Sequence, residues 1–163
     1  MNEVLTSRTK TDSAGVEIMP PTIFYISLIS GFMMELIYSW SLFPDYWLLT
    51  LILGMTIAIT GAAFMMWGHG RFQRFGVNIP TNLPTKQLIT EGAHSFSRNP
   101  MYVGFIAILL GLGIAMGSLW LIGSTLMMGL YLACYVIPRE EAYLVRTFGE
   151  EYEEYRRSVR RWI

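Results

Sequence analysis

Residues 46–67, YWLLTLILGMTIAITGAAFMMW, carry no charged side chain. A run of that length matches the roughly 20 apolar residues that an α-helix needs to cross the hydrocarbon core of a bilayer. Inside lipid every backbone N–H and C=O must find its partner within the protein, so such a run is read as a helix. Tyr46, Trp47 and Trp67 stand at its ends, where aromatic rings favour the membrane interface. Three further apolar runs follow the same logic, at about 22–40, 101–116 and 119–137. With 163 residues, 53% hydrophobic side chains, 15% charged residues and mean hydropathy +0.40, the chain is too apolar for an ordinary soluble domain of its size. It is expected to be one all-α membrane domain, 1–163, with four transmembrane helices and a C-terminal amphipathic cytosolic helix.

A formal net charge of zero conceals a segregation of charge. Arg8 and Lys10 precede the first run, Arg71, Arg74, Lys86 and Arg98 lie between the second and third, and Arg139, Arg146, Arg156, Arg157, Arg160 and Arg161 follow the fourth. The short connections 41–45 and 117–118 have no cation. By the positive-inside rule the N-terminus, the long connection and the tail are all expected on the cytosolic side, which requires an even number of spans. The expected setting is a bacterial inner membrane or its equivalent. A signal peptide is not expected, because the first apolar run is too long for its hydrophobic region and no small-residue cleavage pattern closes it.

Between the second and third runs the chain is polar and broken by Pro80, Pro84 and Pro100. Its last part, LITEGAHSFSRNPMY (88–102), places a dense set of hydrogen-bonding groups directly before a membrane helix, and Glu140–Glu141 stand at the next cytosolic exit. Such a concentration at the membrane surface suggests a site. Adjacent residues on a helix point about 100° apart. The two carboxylates therefore cannot serve one atom, and one is expected to pair with Arg98 or Arg139. Beyond Pro138, residues Glu141, Leu144, Phe148, Tyr152, Tyr155, Val159 and Trp162 recur at steps of three and four, with Gly149 expected to interrupt the helix. This helix reads as an interfacial anchor that can also fold over the site.

The order of these motifs resembles the integral-membrane methyltransferases that include isoprenylcysteine carboxyl methyltransferase and the phospholipid N-methyltransferases. The family pattern is Leu-Val-Thr-x-Gly-x-Tyr, Arg-His-Pro-x-Tyr-x-Gly, a hydrophobic hairpin, Glu-Glu-x-x-Leu and Phe-Gly-x-x-Tyr. Here it reads Leu88-Ile89-Thr90-Glu91-Gly92, Arg98-Asn99-Pro100-Met101-Tyr102-Val103-Gly104, Glu140-Glu141-Ala142-Tyr143-Leu144 and Phe148-Gly149-Glu150-Glu151-Tyr152. The resemblance implies S-adenosyl-L-methionine (SAM) as methyl donor, held by segments 86–104 and 138–155. It further implies Lys86, Gln87, Leu88, Ile89, His94, Asn99, Pro100, Tyr102, Glu140 and Glu141 as cofactor-binding residues. Arg98 and Glu141 are the candidates for a catalytic part, although in-line methyl transfer depends chiefly on alignment and exclusion of water and needs a base only for a protonated nucleophile.

Two departures bear on the acceptor. Asn99 replaces the family's His and cannot titrate. Val136 stands where the eukaryotic prenylcysteine enzymes carry an Arg for the substrate carboxylate. The expected acceptor is a lipid or hydrophobic small molecule dissolved in the membrane; no nucleic acid is expected, and the oligomeric state is open. His69 and His94 lack partners at metal-ligand spacing, so no metal is expected. Cys134 is expected to be a small core residue. The alternatives are an NADPH-dependent membrane reductase, or a non-catalytic small membrane scaffold or transporter; transport predicts ionisable groups at mid-bilayer, which the last three runs lack.

Overall fold

The computed structural model describes residues 13–42, 44–75 (backbone alone over 71–75) and 87–163. Among these residues the structure is helical: α1 (Pro20–Ile37), α2 (Trp47–Phe75), α3 (Pro100–Met116), α4 (Leu119–Tyr131), α5 (Ile137–Phe148) and α6 (Glu150–Ser158), with short 3-10 turns at Pro44–Tyr46 and Gly92–Ser95. Three apolar helical stretches are long enough to cross a membrane, Pro20–Ile37, Pro44–Gly70 and Leu119–Phe148. The 17-residue α3 is apolar and shorter.

Helix α1 begins with Pro20 and Pro21 in its first turn, where a missing N–H costs nothing. It ends at Ile37 rather than near 40, because the chain then turns extended to meet the α3–α4 connection. There Leu42 N–H donates to the Gly117 carbonyl at 2.9 Å, and the Trp120 indole N–H donates to the Tyr38 carbonyl at 2.7 Å. Gly117 closes α3 in the left-handed conformation, φ 61°, and Ser118 caps α4 by accepting from Leu121 N–H. Glu35 is tied into the same end, accepting from Ser39 Oγ at 2.9 Å and Ser118 Oγ at 2.5 Å.

Helix α2 runs past Trp67 to Phe75, farther than the apolar run. It lies along α3, α3 packs on α4, and α4 packs on α1, so the four form a row with α2 and α1 at its ends. The α2–α3 approach is unusually close. A Cβ on Gly54 would lie 2.3 Å from the Gly111 carbonyl oxygen, one on Gly61 2.4 Å from the Ala107 Cβ, and one on Gly104 2.7 Å from the Gly61 carbonyl oxygen. Small residues here let two backbones touch. Ala107 and Gly111 thus serve α2, whereas Gly113 faces Ile122 across the α3–α4 hairpin.

The fourth apolar run and the amphipathic tail are one continuous helical stretch, joined by a π-helical turn at Leu132–Val136. The cause is local: Pro138 has no N–H to give the Cys134 carbonyl, and its ring would press on that carbonyl in an α-helix. The turn widens instead, with Ile137 N–H donating to Leu132 O. Arg139 Nη1 reaches back to the Tyr135 carbonyl at 3.3 Å and its guanidinium lies 3.8 Å above the Tyr135 ring. The helix breaks at Gly149, whose φ of 55° and ψ of −122° suit only glycine. Cys134 is exposed on the outer surface of the bundle, contrary to a core position. The buried cluster sits where the tail meets the row, and joins Ala14 and Val16 with Phe24, Tyr102, Leu109, Met128, Leu132, Val136, Ile137 and Tyr143.

Candidate functional site

The polar stretch ahead of α3 and the tail converge at one end of the bundle. Pro100 occupies the first turn of α3 and is fully buried, seated against Gly68 of α2, where an added Cβ would come within 3.0 Å of its ring. This fixes the start of α3. Tyr102, one turn in, is buried, and its hydroxyl donates to Oε1 of Glu140 at 2.5 Å. That length is typical of a charge-assisted O–H···O bond.

Glu141 points elsewhere, as helical geometry requires. Its carboxylate lies between two guanidinium groups: Arg98 Nη2 at 2.9 Å from Oε1, and Arg161, whose Nε and Nη2 donate to Oε1 and Oε2 at 3.1 and 2.7 Å. The Arg98 side chain is only 9% exposed, and its Nε and Nη1 are buried with no hydrogen-bond partner. A guanidinium with two unsatisfied buried donors costs free energy until an acceptor arrives. The Arg98 backbone N–H donates to the Arg160 carbonyl at 3.0 Å, and Asn99 Nδ2 to the Arg161 carbonyl at 2.9 Å.

His94 lies buried in the 3-10 turn, near Gly68 of α2, and its carbonyl accepts from the Tyr155 hydroxyl at 2.7 Å. Burial pushes its imidazole down to about 4, so the ring is neutral near pH 7. The Tyr152 hydroxyl is pushed up to about 12, first by burial and then by the Glu141 charge, and Tyr155 is raised by burial and by Tyr152. None of these three groups titrates near neutral pH.

Of the residues expected in the site, the structure brings together Arg98, Asn99, Pro100, Tyr102, Glu140 and Glu141. Ile89 is buried, Leu88 half-buried and Gln87 exposed. Lys86 lies outside the described residues. Arg161 is the member that sequence reasoning missed: of the six arginines in the tail, Arg156, Arg157, Arg160 and Arg161 crowd its end, and their spacing does not single out the one that returns to Glu141.

A family model described as phospholipid methyltransferase matches residues 49–151, more than half of the chain. A stretch of 75 residues is 41% identical to a fission yeast (Schizosaccharomyces pombe) protein named protein-S-isoprenylcysteine O-methyltransferase, covering 44% of this chain and 30% of that protein. The chain thus spans less than a third of that relative. An uncharacterized protein of Haemophilus influenzae is 38% identical over 68 residues, 39% of this chain and 100% of its own length. No solved structure matches the chain.

Proposed function

The chain belongs to the phospholipid methyltransferase family, and we propose that it transfers a methyl group from SAM to a lipid-like acceptor dissolved in the membrane, at the cytosolic face. The observation that carries this reading is the pair of buried, unpartnered Arg98 donors beside two carboxylates in different states of engagement. SAM carries an ammonium, a carboxylate, ribose hydroxyls and an adenine, and needs acceptors, donors and an apolar slot together. The residues present fit it. Glu140, oriented by Tyr102, offers an acceptor; Arg98 Nε and Nη1 offer donors; Ile89 and Leu88 offer apolar surface. Glu141 holds the Arg98 guanidinium in place and is itself saturated by the two arginines.

When bound, the cofactor supplies an electrophilic methyl on a cationic sulfur. The chain's own part is to bind, align and exclude water; Glu140, whose carboxyl burial pushes up to about 7, can exchange a proton near neutral pH. Val136 is fully buried in the apolar cluster, so no cation stands there for a substrate carboxylate. This favours a lipid amine or hydrophobic thiol over a prenylcysteine carboxylate, even though the fission yeast relative is named for the latter.

The test is ligand binding by the detergent-solubilised wild type. Saturable stabilisation by SAM or by its product S-adenosylhomocysteine (SAH) is expected, with none by NADPH. Stabilisation by NADPH alone would convert the reading to the reductase, and no response to millimolar ligand of either kind would leave the scaffold.

A further inference from the structure

Beyond α6 the chain does not leave the site. Val159 turns extended, φ −123° and ψ 135°, and residues 159–163 run back along Ser97–Asn99. Arg160 O accepts from Arg98 N–H, Arg161 O accepts from Asn99 Nδ2 at 2.9 Å and from Ser97 Oγ at 3.5 Å, and Trp162 packs against the buried cluster that contains Tyr102 and Tyr143. Resting on the methyl-donor reading above, we propose that residues 159–163 form a lid over the cofactor site and that Arg161 is its latch.

The three members of the ion cluster differ in exposure, and the difference assigns their parts. Glu141 and Arg98 have side chains 13% and 9% exposed, whereas Arg161 is 42% exposed. A buried pair is costly to separate, but an ion pair on the water side is weak and exchanges readily. Arg161 is therefore the member that can release Glu141 while Arg98 keeps it. In the latched state the lid takes the Arg98 backbone N–H and the Asn99 amide yet leaves Arg98 Nε and Nη1 buried with no acceptor. The closed lid is thus complete only when something that accepts hydrogen bonds lies beneath it. Because Arg98 is buried beside this cover, a ligand reaches its free donors after the Arg161–Glu141 contact opens, and leaves by the same route.

The experiment compares wild type, Arg161→Ala, Arg161→Lys and Arg160→Ala. Arg160 is the control: its side chain is exposed and it contributes only its carbonyl, so its replacement removes the same charge without touching the latch. Two quantities are read: the dissociation rate of SAH, and trypsin cleavage after Arg156 and Arg157 with and without SAH. Arg161→Ala is expected to release SAH about tenfold faster, since a lost contact acts mainly on dissociation. SAH should slow cleavage in wild type and Arg160→Ala but not in Arg161→Ala. Arg161→Lys keeps the charge without the two-pronged geometry and should fall between. If Arg161→Ala fails to fold, Arg161→Lys decides alone, and a wild-type rate there overturns the latch. So does an Arg161→Ala protein indistinguishable from wild type, or an equal effect of Arg160→Ala. Absence of saturable SAH binding by wild type removes the methyl-donor reading itself; wild-type binding with no Arg161 effect removes only the lid.

Discussion

The Tyr102 hydroxyl meets the Glu140 carboxylate at 2.5 Å across 38 positions of sequence, joining the first turn of α3 to the first turn of α5. Both residues are held by prolines, Pro100 at the start of α3 and Pro138 at the start of α5. Each proline sets the rotation of a helix just before the functional side chain emerges. The bond is consequently a readout of how the two helices are phased.

Tyr102→Phe and Glu140→Gln should each weaken SAH binding tenfold to a hundredfold, about 1.5 to 3 kcal/mol for one charge-assisted hydrogen bond, without loss of the membrane fold. Because the two side chains bond each other, the double variant should cost clearly less than the two single costs added. Glu35→Gln, bonded to Ser39 and Ser118 at the other end of the bundle, should bind SAH as wild type does. Calorimetric titration of wild type and the four variants checks this, and wild-type affinity in Glu140→Gln would remove the residue from the site.

Acidification should destabilise the protein through His94. Its imidazole is held down to about 4 in the folded chain against 6.5 when free, so between these values the unfolded chain binds more protons. The His94 contribution is at its full value above about 6.5 and is lost as pH falls toward 4, by an amount on the order of 3 kcal/mol at the lower end, while Glu140, whose carboxyl burial pushes up to about 7, contributes in the opposite sense over the same range. His94→Gln should flatten that part of the stability–pH curve, measured by thermal unfolding in detergent. An unchanged slope would assign the acid sensitivity to other groups.

What could be read without coordinates was whatever rests on short-range rules. The split between Glu140 and Glu141 follows from the helical angle alone, and the structure gives one to Tyr102 and the other to Arg98. The break at Gly149 and the burial of Tyr152 and Tyr155 follow from residue type and spacing. What could not be read depends on partners. Small residues announce a close approach without naming the neighbour, and Ala107 and Gly111 prove to face α2 rather than α4. Pro138 reads as the end of a span, but the widened turn before it carries the helix through. The return of Arg161 depends on the direction in which Val159 leaves α6, which no local pattern encodes.

The glycine seam between α2 and α3 should be intolerant of even one methyl group. In Gly111→Ala the new Cβ would lie 2.5 Å from the Gly54 carbonyl oxygen and 2.6 Å from the Ala58 nitrogen, both backbone atoms that cannot swing aside. Overpacking of this kind costs about 1 to 3 kcal/mol. Gly123→Ala, with nothing within 4 Å of the added Cβ, should leave the melting temperature unchanged or slightly higher. Equal melting of the two variants would mean that α2 and α3 are less tightly apposed than the structure has them.

The cationic segments are expected on one side of the membrane. Arg98, Glu141 and Arg161 touch, and Tyr131 donates to the Ile18 carbonyl, which puts the segment before α1 at that same end, while Glu35, Ser39 and Ser118 gather at the other. In a Cys134→Ser background, single cysteines at Lys86 and Arg157 should react with an impermeant maleimide from the same side, and one at Ser39 from the opposite side. Lys86 and Arg157 on opposite sides would sink the four-span arrangement.

The last prediction concerns the π-helical turn. A π turn inserts one residue relative to an α-helix, so it rotates everything after it by about 100° with respect to the preceding span. In this chain that rotation sets which face of α5 carries Glu140, and the widened turn is kept by Pro138 and covered by Arg139 on the Tyr135 carbonyl. Pro138→Ala restores an N–H able to donate to the Cys134 carbonyl and removes the ring that opposes it. The run 132–148 should then relax toward regular α-helix and swing Glu140 away from Tyr102. The expected outcome is a protein of wild-type or higher helicity and thermal stability whose SAH affinity falls at least tenfold, an amount comparable to losing the Tyr102–Glu140 hydrogen bond. Tyr102→Phe placed on top of Pro138→Ala should then add little, since the bond is already broken. If Pro138→Ala instead binds SAH as wild type does, and Tyr102→Phe keeps its full effect in that background, the π turn is held by the packing of Leu132, Val136 and Ile137 in the buried cluster, and not by the proline.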